Sequence, residues 1–281
     1  MIHIERKAQN AVKNVLSFIY FSGNICIMYK IDHLLNANEE VGVIMKDFYM
    51  DLHIHIGRTA SGKPVKITGS KTLTLHTILQ CASSQKGLDM IGVIDCHSPE
   101  VLVEIEGLLK RGEMIELAEG GLRFQETTLL LGSEIEVYDS YCHGPIHVLA
   151  YFPTVEKMKA FSDWMSNHVK NISLSSQRIY VEGRALQQKV YEYDGLFVPA
   201  HVFTPFKSLY GKGVKRSLTE VFDPNYIDAI ELGLSSDTQM VRNIKELQQY
   251  PFLTNSDAHS LGKIAREYQK LTLKDANFNE L

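Results

Sequence analysis

The sequence predicts an α/β protein, a distorted (β/α)7-type barrel resembling a TIM barrel, and three observations support this prediction. From residue 47 onward, short apolar runs alternate with helical patterns in about seven units, which favours a parallel sheet closed into a barrel. The apolar stretch 51–55 carries His53 and His55, which share one face of a strand. Further apolar runs end in His, Asp or Glu, as at the active face of such barrels.

The predicted elements follow one another in order along the chain. Ser98 is a helix N-cap, followed by Pro99 at the first helical position and Glu100 in the first turn. The predicted strands cover residues 48–53, 90–95, 129–137, 147–152, 196–200, 229–232 and 252–254. The predicted helices cover residues 73–85, 99–110, 155–168 and 175–193.

Composition limits the classes of protein that remain. With 281 residues, 44% of them hydrophobic, the chain can bury one large core as a single barrel domain. A net charge of -4 gives no overall attraction for nucleic acid or acidic membranes, so an anionic partner needs local patches or bound cations. The four cysteines are widely spaced without a C-x-x-C pair, which predicts reduced thiols in a cytoplasmic protein.

Two regions are predicted, 1–44 and 45–281. The second is the barrel domain, and the first is an extension or a leader that is not native, with Met45 or Met50 as alternative starts. The apolar stretch 15–29 is interrupted by polar residues and is shorter than the roughly 20 apolar residues of a spanning helix. We therefore expect no membrane partner.

Candidate metal ligands recur through the barrel region. The H-x-H pair alone fits two surface histidines equally well, but the later strand ends favour a shared site. The nine candidates are His53, His55, Asp95, His97, Glu134, His147, His201, Asp257 and His259. Nitrogen and oxygen donors in this mixture suit Zn²⁺, Mn²⁺ or Fe²⁺, and nine are too many for one ion. Two or three clustered ions favour phosphoester hydrolysis.

In this order the nine residues resemble the metal site of the PHP (polymerase and histidinol phosphatase) superfamily. Longer stretches resemble its endonuclease Q family, from about residue 51 to the end of the chain: DLHIHIGR, IGVIDCHSPEV, GPIHVL, PAHVFTPFKSLYGKG, ELGLSSDT and TNSDAHSL. The resemblance implies a PHP barrel that nicks DNA on the 5′ side of deaminated bases (uracil, hypoxanthine, xanthine) or of abasic sites.

The same resemblance implies roles for single residues. It implies that a first ion is bound by His53, His55, Glu134 and Asp257. A second ion is bound by His147 and His201, and Glu134 bridges the first two ions. A third ion is bound by His97 and His259. Asp257, Glu134 and His201 are the expected catalytic residues. Many PHP proteins add a histidine about six residues after H-x-H, where this chain has Ser61 and Gly62. Either Asp95 or a substrate oxygen then completes the third site, or Asp95 orients a ligand histidine instead.

The chain departs from the family at its end. The family continues into a cysteine-rich zinc-binding region and a helical segment that help to hold damaged DNA, whereas this chain stops at Leu281 and looks truncated. We therefore expect metal binding and at most slow cleavage of a generic phosphodiester, with weak or no preference for deaminated DNA.

Two basic loops are candidate DNA contacts, because each follows a strand that ends in a predicted ligand and neither contains an acid. Their cations and one tyrosine are Arg58, Lys63, Lys66 and Lys71 in the first loop, and Lys207, Tyr210, Lys212, Lys215 and Arg216 in the second. Such residues would contact phosphates without reading bases. The alternative is that they are ordinary solvated side chains.

The sequence thus predicts a metal-dependent phosphodiesterase that acts on DNA with damaged bases. Repair or replication proteins are further expected partners. The expected cofactors are two or three divalent ions, Zn²⁺ or Mn²⁺ first, with Mg²⁺ or Fe²⁺ as alternatives. Two other functions stay open: a PHP-type small-molecule phosphatase, which needs a closed pocket, and a non-catalytic DNA-binding barrel.

Overall fold

The structure, a computed structural model, describes residues 45–281. The predicted extension 1–44 and its apolar stretch lie outside the described residues. The strands are β1 Lys46–Ile54, β2 Met90–Val93, β3 Ile115–Glu116, β4 Leu122–Phe124, β5 Thr127–Val137, β6 Ile146–Phe152, β7 Arg178–Ile179, β8 Leu196–Pro199, β9 Ile230–Glu231, β10 Phe252–Leu253 and β11 Gln269–Leu273. The helices are α1 Leu75–Gln80, α2 Pro99–Lys110, α3 Val155–Ser166, α4 Gly183–Glu192 and α5 Thr238–Val241.

Within the described residues the strands form a nine-stranded sheet and a separate two-stranded sheet. The large sheet runs β11-β1-β2-β5-β4-β3, and β6 extends it by pairing with β5 on one side and β8 on the other. The β1, β2 and β5 strands are parallel, whereas β11, β6 and β8 are antiparallel to their neighbours. In the second sheet β9 and β10 are parallel.

The predicted α/β class is confirmed, but closure into a barrel is not, because no regular ladder joins the two sheets of residues 45–281. Isolated backbone hydrogen bonds connect them through residues just beyond the strands. Val202, after β8, donates its amide to Glu231 O at 2.9 Å, and Ala258, after β10, donates to His53 O and accepts from the His55 amide, both at 3.1 Å. These bonds bring the strand ends that carry candidate ligands to one edge of the fold.

The expectation of an all-parallel sheet is wrong at β6. The connection 138–145 between β5 and β6 contains no helix, and a parallel return needs a crossover of a dozen or more residues. The β6 strand therefore returns antiparallel, with Glu134 opposite Leu149 and Glu136 opposite His147. His147 thus lies near the beginning of its strand, yet at the same edge of the sheet as the ends of β1 and β2.

The predicted helix 175–193 is also wrong in its first half. Residues 175–177 form a loop, β7 follows, and α4 begins only at Gly183. The Gly183 amide donates to Asp139 Oδ2 at 2.7 Å, and a Cβ on Gly183 would lie 2.8 Å from Phe222. This glycine therefore lets the helix start close to its neighbour rather than interrupting it.

The core of the described residues fills the space between the sheet and the helices, with fully buried side chains such as Phe152 and Phe161. Tyr151 links β6 to β1 across the interior through its hydroxyl, which donates to Leu52 O at 2.6 Å. Across residues 45–281 every helix is too short or too polar to traverse a lipid bilayer.

Candidate metal centre

Imidazole and carboxylate groups converge at the edge of the sheet formed by the C-terminal ends of the parallel strands β1, β2 and β5. Among residues 45–281, three groups of donors have ligand atoms within 4.8 Å of one another. These groups are His53, His55 and Glu134; His55, Asp257 and His259; and Glu134, His147 and His201. His55 and Glu134 each belong to two groups, so the arrangement is one continuous cluster with shared corners.

Glu134 lies at the centre of this cluster. Its Oε1 accepts a hydrogen bond from His147 Nδ1 at 2.9 Å and lies 3.3 Å from His201 Nε2. Oε1 is also 3.6 Å from His53 Nε2, and Oε2 is 3.6 Å from His55 Nε2. One buried carboxylate therefore faces four imidazoles, as a residue that bridges two ions would.

Asp257 holds the other side of the cluster. Its Oδ1 lies 3.5 Å from His53 Nε2, 3.4 Å from His55 Nε2 and 3.3 Å from His259 Nε2. Three imidazole nitrogens thus point at one carboxylate oxygen, two of them from the end of β1 and one from the loop after β10. This is the donor geometry of a site that collects a cation at its centre.

A second observation, independent of these distances, indicates that the donor set fits divalent metal ions. His53 Nε2, His55 Nε2 and His147 Nε2 are buried without a hydrogen-bond partner in the described structure. An unpaired buried polar atom costs roughly 1–3 kcal/mol, so three together indicate a missing ligand. Neutral imidazole nitrogens beside carboxylates suit Zn²⁺, Mn²⁺ or Fe²⁺.

Several of the imidazoles are oriented by a partner on their second nitrogen. His55 Nδ1 lies 3.1 Å from Asp95 Oδ2, which also accepts from the Ile56 amide at 2.7 Å. His201 Nδ1 lies 2.9 Å from the Thr204 hydroxyl. Such contacts fix the ring and its tautomer, leaving Nε2 to face the cluster. Asp95 therefore has the position of an orienting residue.

Glu231 orients His53, and sequence reasoning did not single it out. Its side chain is 2% exposed, and its carboxylate accepts from His53 Nδ1 at 2.9 Å, from the His201 amide at 2.8 Å and from Asn255 Nδ2 at 2.8 Å. The only available signal was a carboxylate in an apolar strand, because His53 lies 178 residues away along the chain.

Asp95 and His97 are the two predicted ligands that lie outside the three groups. Asp95 orients His55, as described above, whereas His97 is held by other partners. Its Nδ1 is 2.9 Å from the Ser133 hydroxyl, and its Nε2 faces the Leu174 carbonyl at 3.3 Å. Both ring nitrogens thus have protein partners. The structure brings His259 to the cluster through Asp257 and His55 instead, without His97.

The carboxylates dominate the electrostatics of the cluster. Burial alone would lower the pKa of His53, but Glu231, Asp257 and Glu134 outweigh it and raise that pKa to about 10. Burial would likewise raise the pKa of Glu134, yet His147 and Lys66 hold it well below its usual value. The site is therefore built to hold positive charge.

Backbone strain concentrates around the cluster. Four residues there have positive φ without being glycine: Ser176 at 53°, His201 at 32°, Lys207 at 54° and Asp257 at 45°. Such conformations are rare and characteristically occur at functional sites, where surrounding structure enforces them. The turn at His201 also needs Gly233, because a Cβ there would lie 2.6 Å from the His201 Cβ.

An open cleft of about 550 Å³ leads to the cluster. Lys66 lies in its wall with its side chain 14% exposed, and its ammonium is 3.1 Å from Glu134 Oε2 and 2.6 Å from the Ser176 hydroxyl. Lys207 pairs with Glu136 at 2.9 Å. The His147 imidazole, whose Nε2 lies 3.7 Å from Glu136 Oε2, and the contact with Lys207 lower the pKa of Glu136 to about 2.

The remaining candidate DNA contacts differ in their partners and in their exposure. Lys63 pairs with Glu100 of α2, and Arg58 donates to the Gly62 carbonyl at 2.6 Å. The Tyr210 hydroxyl donates to Glu246 at 3.0 Å. Four others lie further along the loops: Lys71 is exposed, Lys212 has its ammonium 5.7 Å from the Phe206 ring centre, and Lys215 and Arg216 donate backbone amides to Glu220. Acids distant in sequence thus neutralise part of the expected basic rim.

Two curated proteins are similar in sequence to this chain. No protein-family model matches the chain. An uncharacterised protein of Bacillus subtilis, YqxK, is 62% identical over 236 residues, which are 84% of this chain and 61% of that protein. An uncharacterised protein of Methanocaldococcus jannaschii is 42% identical over 73 residues, 25% of this chain and 9% of that protein. The chain thus spans less than two thirds of the curated relatives it matches.

Two solved structures are similar in fold to this chain. Endonuclease Q in complex with a 27-mer duplex substrate, with an abasic lesion at the active site, matches 84% of this chain and 55% of its own, with a TM-score of 0.70 and 29% identity. The lesion-specific endonuclease Q from Pyrococcus furiosus has the same coverage and identity, with a TM-score of 0.69.

The fold is similar to that of two endonuclease Q structures over 84% of this chain, and the site contains donor groups that could hold metal ions. The resemblance to the endonuclease Q family, predicted from the sequence motifs, is confirmed by these structures.

Proposed function

We propose that this chain is a metal-dependent phosphodiesterase that nicks DNA on the 5′ side of deaminated bases (uracil, hypoxanthine, xanthine) or of abasic sites. The observation that carries the proposal is the pair of donor groups sharing Glu134, at the base of an open cleft. When bound by these two groups, divalent metal ions would activate water near neutral pH and neutralise charge on phosphoryl oxygens. The likeness to endonuclease Q supports DNA as the substrate.

The residues of the chain itself provide the rest of the chemistry. Lys66 is held at the cluster by Glu134 and Ser176, so its ammonium is placed to meet a non-bridging phosphoryl oxygen. A fixed positive group at that point stabilises charge that develops during cleavage. Asp95 and Glu231 keep the imidazoles in place, and their burial excludes water from those contacts.

The open cleft favours a polymer over a small phosphate ester. Ile67 is 76% exposed and Phe206 is 72% exposed, and both line the cleft. Exposed apolar side chains beside Lys66 and Lys207 suit a strand whose sugars and bases lie beyond one phosphate. A phosphatase for a small ester would enclose its ligand.

Three substrates separate the proposal from its alternatives. Metal-loaded protein is given a fluorescent duplex, bis(4-nitrophenyl) phosphate and 4-nitrophenyl phosphate, with a chelator-treated sample as the control. Cleavage of the duplex and of the diester supports the proposal. Turnover of the monoester alone indicates a small-molecule phosphatase, and duplex binding without any turnover indicates a non-catalytic DNA-binding protein.

The finer predictions belong to the same proposal. Two or three ions, Zn²⁺ or Mn²⁺ first, would occupy the three donor groups, and damaged DNA with repair or replication proteins would be the partners. Free thiols at Cys81, Cys96 and Cys142 support a reducing, cytoplasmic location.

A further inference from the structure

A patch of exposed aromatic and basic side chains lies outside the metal centre. Tyr138 follows β5 and is 37% exposed, and Tyr180 follows β7 and is 52% exposed. The guanidinium of Arg178 lies 4.7 Å from the centre of the Tyr138 ring and 5.4 Å from that of Tyr180. The ammonium of Lys170 lies 5.9 Å from the Tyr180 ring centre. These four residues form what we call the Tyr138–Tyr180 patch.

The patch continues the face of the sheet that carries the metal centre. Along β5, Glu134, Glu136 and Tyr138 stand at alternate positions, and Val137 between the last two is buried. The β7 strand pairs in parallel with β5 and places Arg178 opposite Glu136. At ~3.3 Å per strand residue, Tyr138 lies roughly 13 Å from Glu134. That distance corresponds to about four nucleotide steps of a stacked strand at ~3.4 Å each.

The rings and cations are held in place before any ligand arrives. Arg178 donates to the Tyr138 carbonyl, which fixes its guanidinium over the ring. Two acids border the patch. Asp139 is engaged by the backbone amides of Tyr141 and Gly183 at 2.8 Å and 2.7 Å, and Glu182 is exposed at the edge.

Interleaved rings and cations suit a nucleic-acid strand more than other partners. Cations neutralise phosphates, and exposed aromatic rings stack on bases of any sequence. Gln177 lines the cleft and directly precedes Arg178, so a strand leaving the metal centre along this face meets the patch next.

We propose that the Tyr138–Tyr180 patch binds the DNA strand where it leaves the cleft, stacking an unpaired base on a tyrosine ring and contacting phosphates through Arg178 and Lys170. The inference rests on the proposed function, since the path of the strand begins at a phosphate in the metal centre.

The test measures DNA binding directly. Fluorescence anisotropy follows a labelled single-stranded 20-mer with wild-type protein, with the double variant Tyr138→Ala/Tyr180→Ala and with a control, Tyr191→Ala on α4. The Tyr191 ring is 51% exposed and packs against Tyr226. We expect the double variant to bind on the order of tenfold more weakly or worse, and the control to match wild type. Thermal unfolding confirms that each variant is folded.

A second variant isolates the charge. Lys170→Gln is expected to lower the slope of log affinity against log salt by ~0.7, the loss of one contact with a single strand. Equal affinities for wild type and the double variant overturn the inference, whatever the enzyme hydrolyses. Failure of the proposed function appears separately, as wild-type protein that leaves bis(4-nitrophenyl) phosphate intact.

Discussion

The ammonium of Lys66 lies 3.1 Å from Glu134 Oε2, so the carboxylate that joins two donor groups is also the anchor of a lysine. The Lys66 side chain is 14% exposed and lies in the cleft wall, unlike Lys63 and Lys71 of the same loop, which extend into solvent. This position makes Lys66 part of the centre rather than of a basic rim.

Replacing Lys66 tests that position. Lys66→Gln removes the fixed charge beside the reacting phosphate, so kcat/KM for a phosphodiester is expected to fall by on the order of a hundredfold, as with loss of one transition-state donor. Metal content, measured by plasma emission, should not fall. Lys71→Gln serves as the matched control from the same loop, and an equal loss in both variants would contradict the assignment.

Asp257 is the second test. Asp257→Asn keeps a side chain that tolerates the positive φ of 45° while removing the charge that faces three imidazoles. We expect one ion fewer per chain and hydrolysis reduced ~100-fold or more, in a variant that circular dichroism shows to be folded. Asp163→Asn on α3 is the control. Full turnover by Asp257→Asn at matched metal content would refute the role.

Glu231 is expected to combine structural and metal effects. Glu231→Ala leaves His53, Asn255 and the His201 amide without their buried acceptor, which should cost roughly 3 kcal/mol of unfolding free energy in urea titrations. Metal affinity should also fall ~10–100-fold. The exposed Glu126→Ala is the control. Wild-type stability and affinity in Glu231→Ala would show that His53 needs no such support.

Metal binding should release protons. The carboxylates raise the pKa of His53 to about 10, so without metal its imidazole is protonated at pH 7 and must lose a proton to bind an ion. Affinity is therefore expected to rise with pH between 7 and 10 and to level off above the His53 pKa. Calorimetry at pH 7 in two buffers of different ionisation enthalpy gives the proton count. Identical heats in both buffers would contradict this expectation.

Sequence reasoning found most donors because their periodicity is local. His53 and His55 share a face by strand geometry alone, and Glu134 lies in an apolar strand that pairs in parallel with β2. The period of two did not give the direction of β6, because it does not distinguish a parallel from an antiparallel strand. The short connection 138–145 decides that direction, since a parallel return needs a crossover of a dozen or more residues. His147 nevertheless reaches the cluster from the beginning of its strand.

Long-range contacts account for what the sequence did not predict. Glu231 reaches His53 across 178 residues, and Lys66 reaches Glu134 across 68. His97 stands in an Asp-x-His pattern like that of Asp257 and His259, but the Ser133 hydroxyl and the Leu174 carbonyl occupy its two nitrogens. A spacing pattern places a side chain on a face, whereas the partners of its ring atoms come from other parts of the fold.

The position of a nick in a damaged duplex tests the central claim most directly. Metal-loaded protein is incubated with end-labelled duplexes that carry one uracil, hypoxanthine or abasic site, and with the unmodified duplex. The proposed function predicts more cutting on the 5′ side of the lesion than at any site of the unmodified duplex, abolished by chelator and by Asp257→Asn. Intact duplexes with every lesion, in a preparation that carries its ions and hydrolyses only phosphate monoesters, would contradict it.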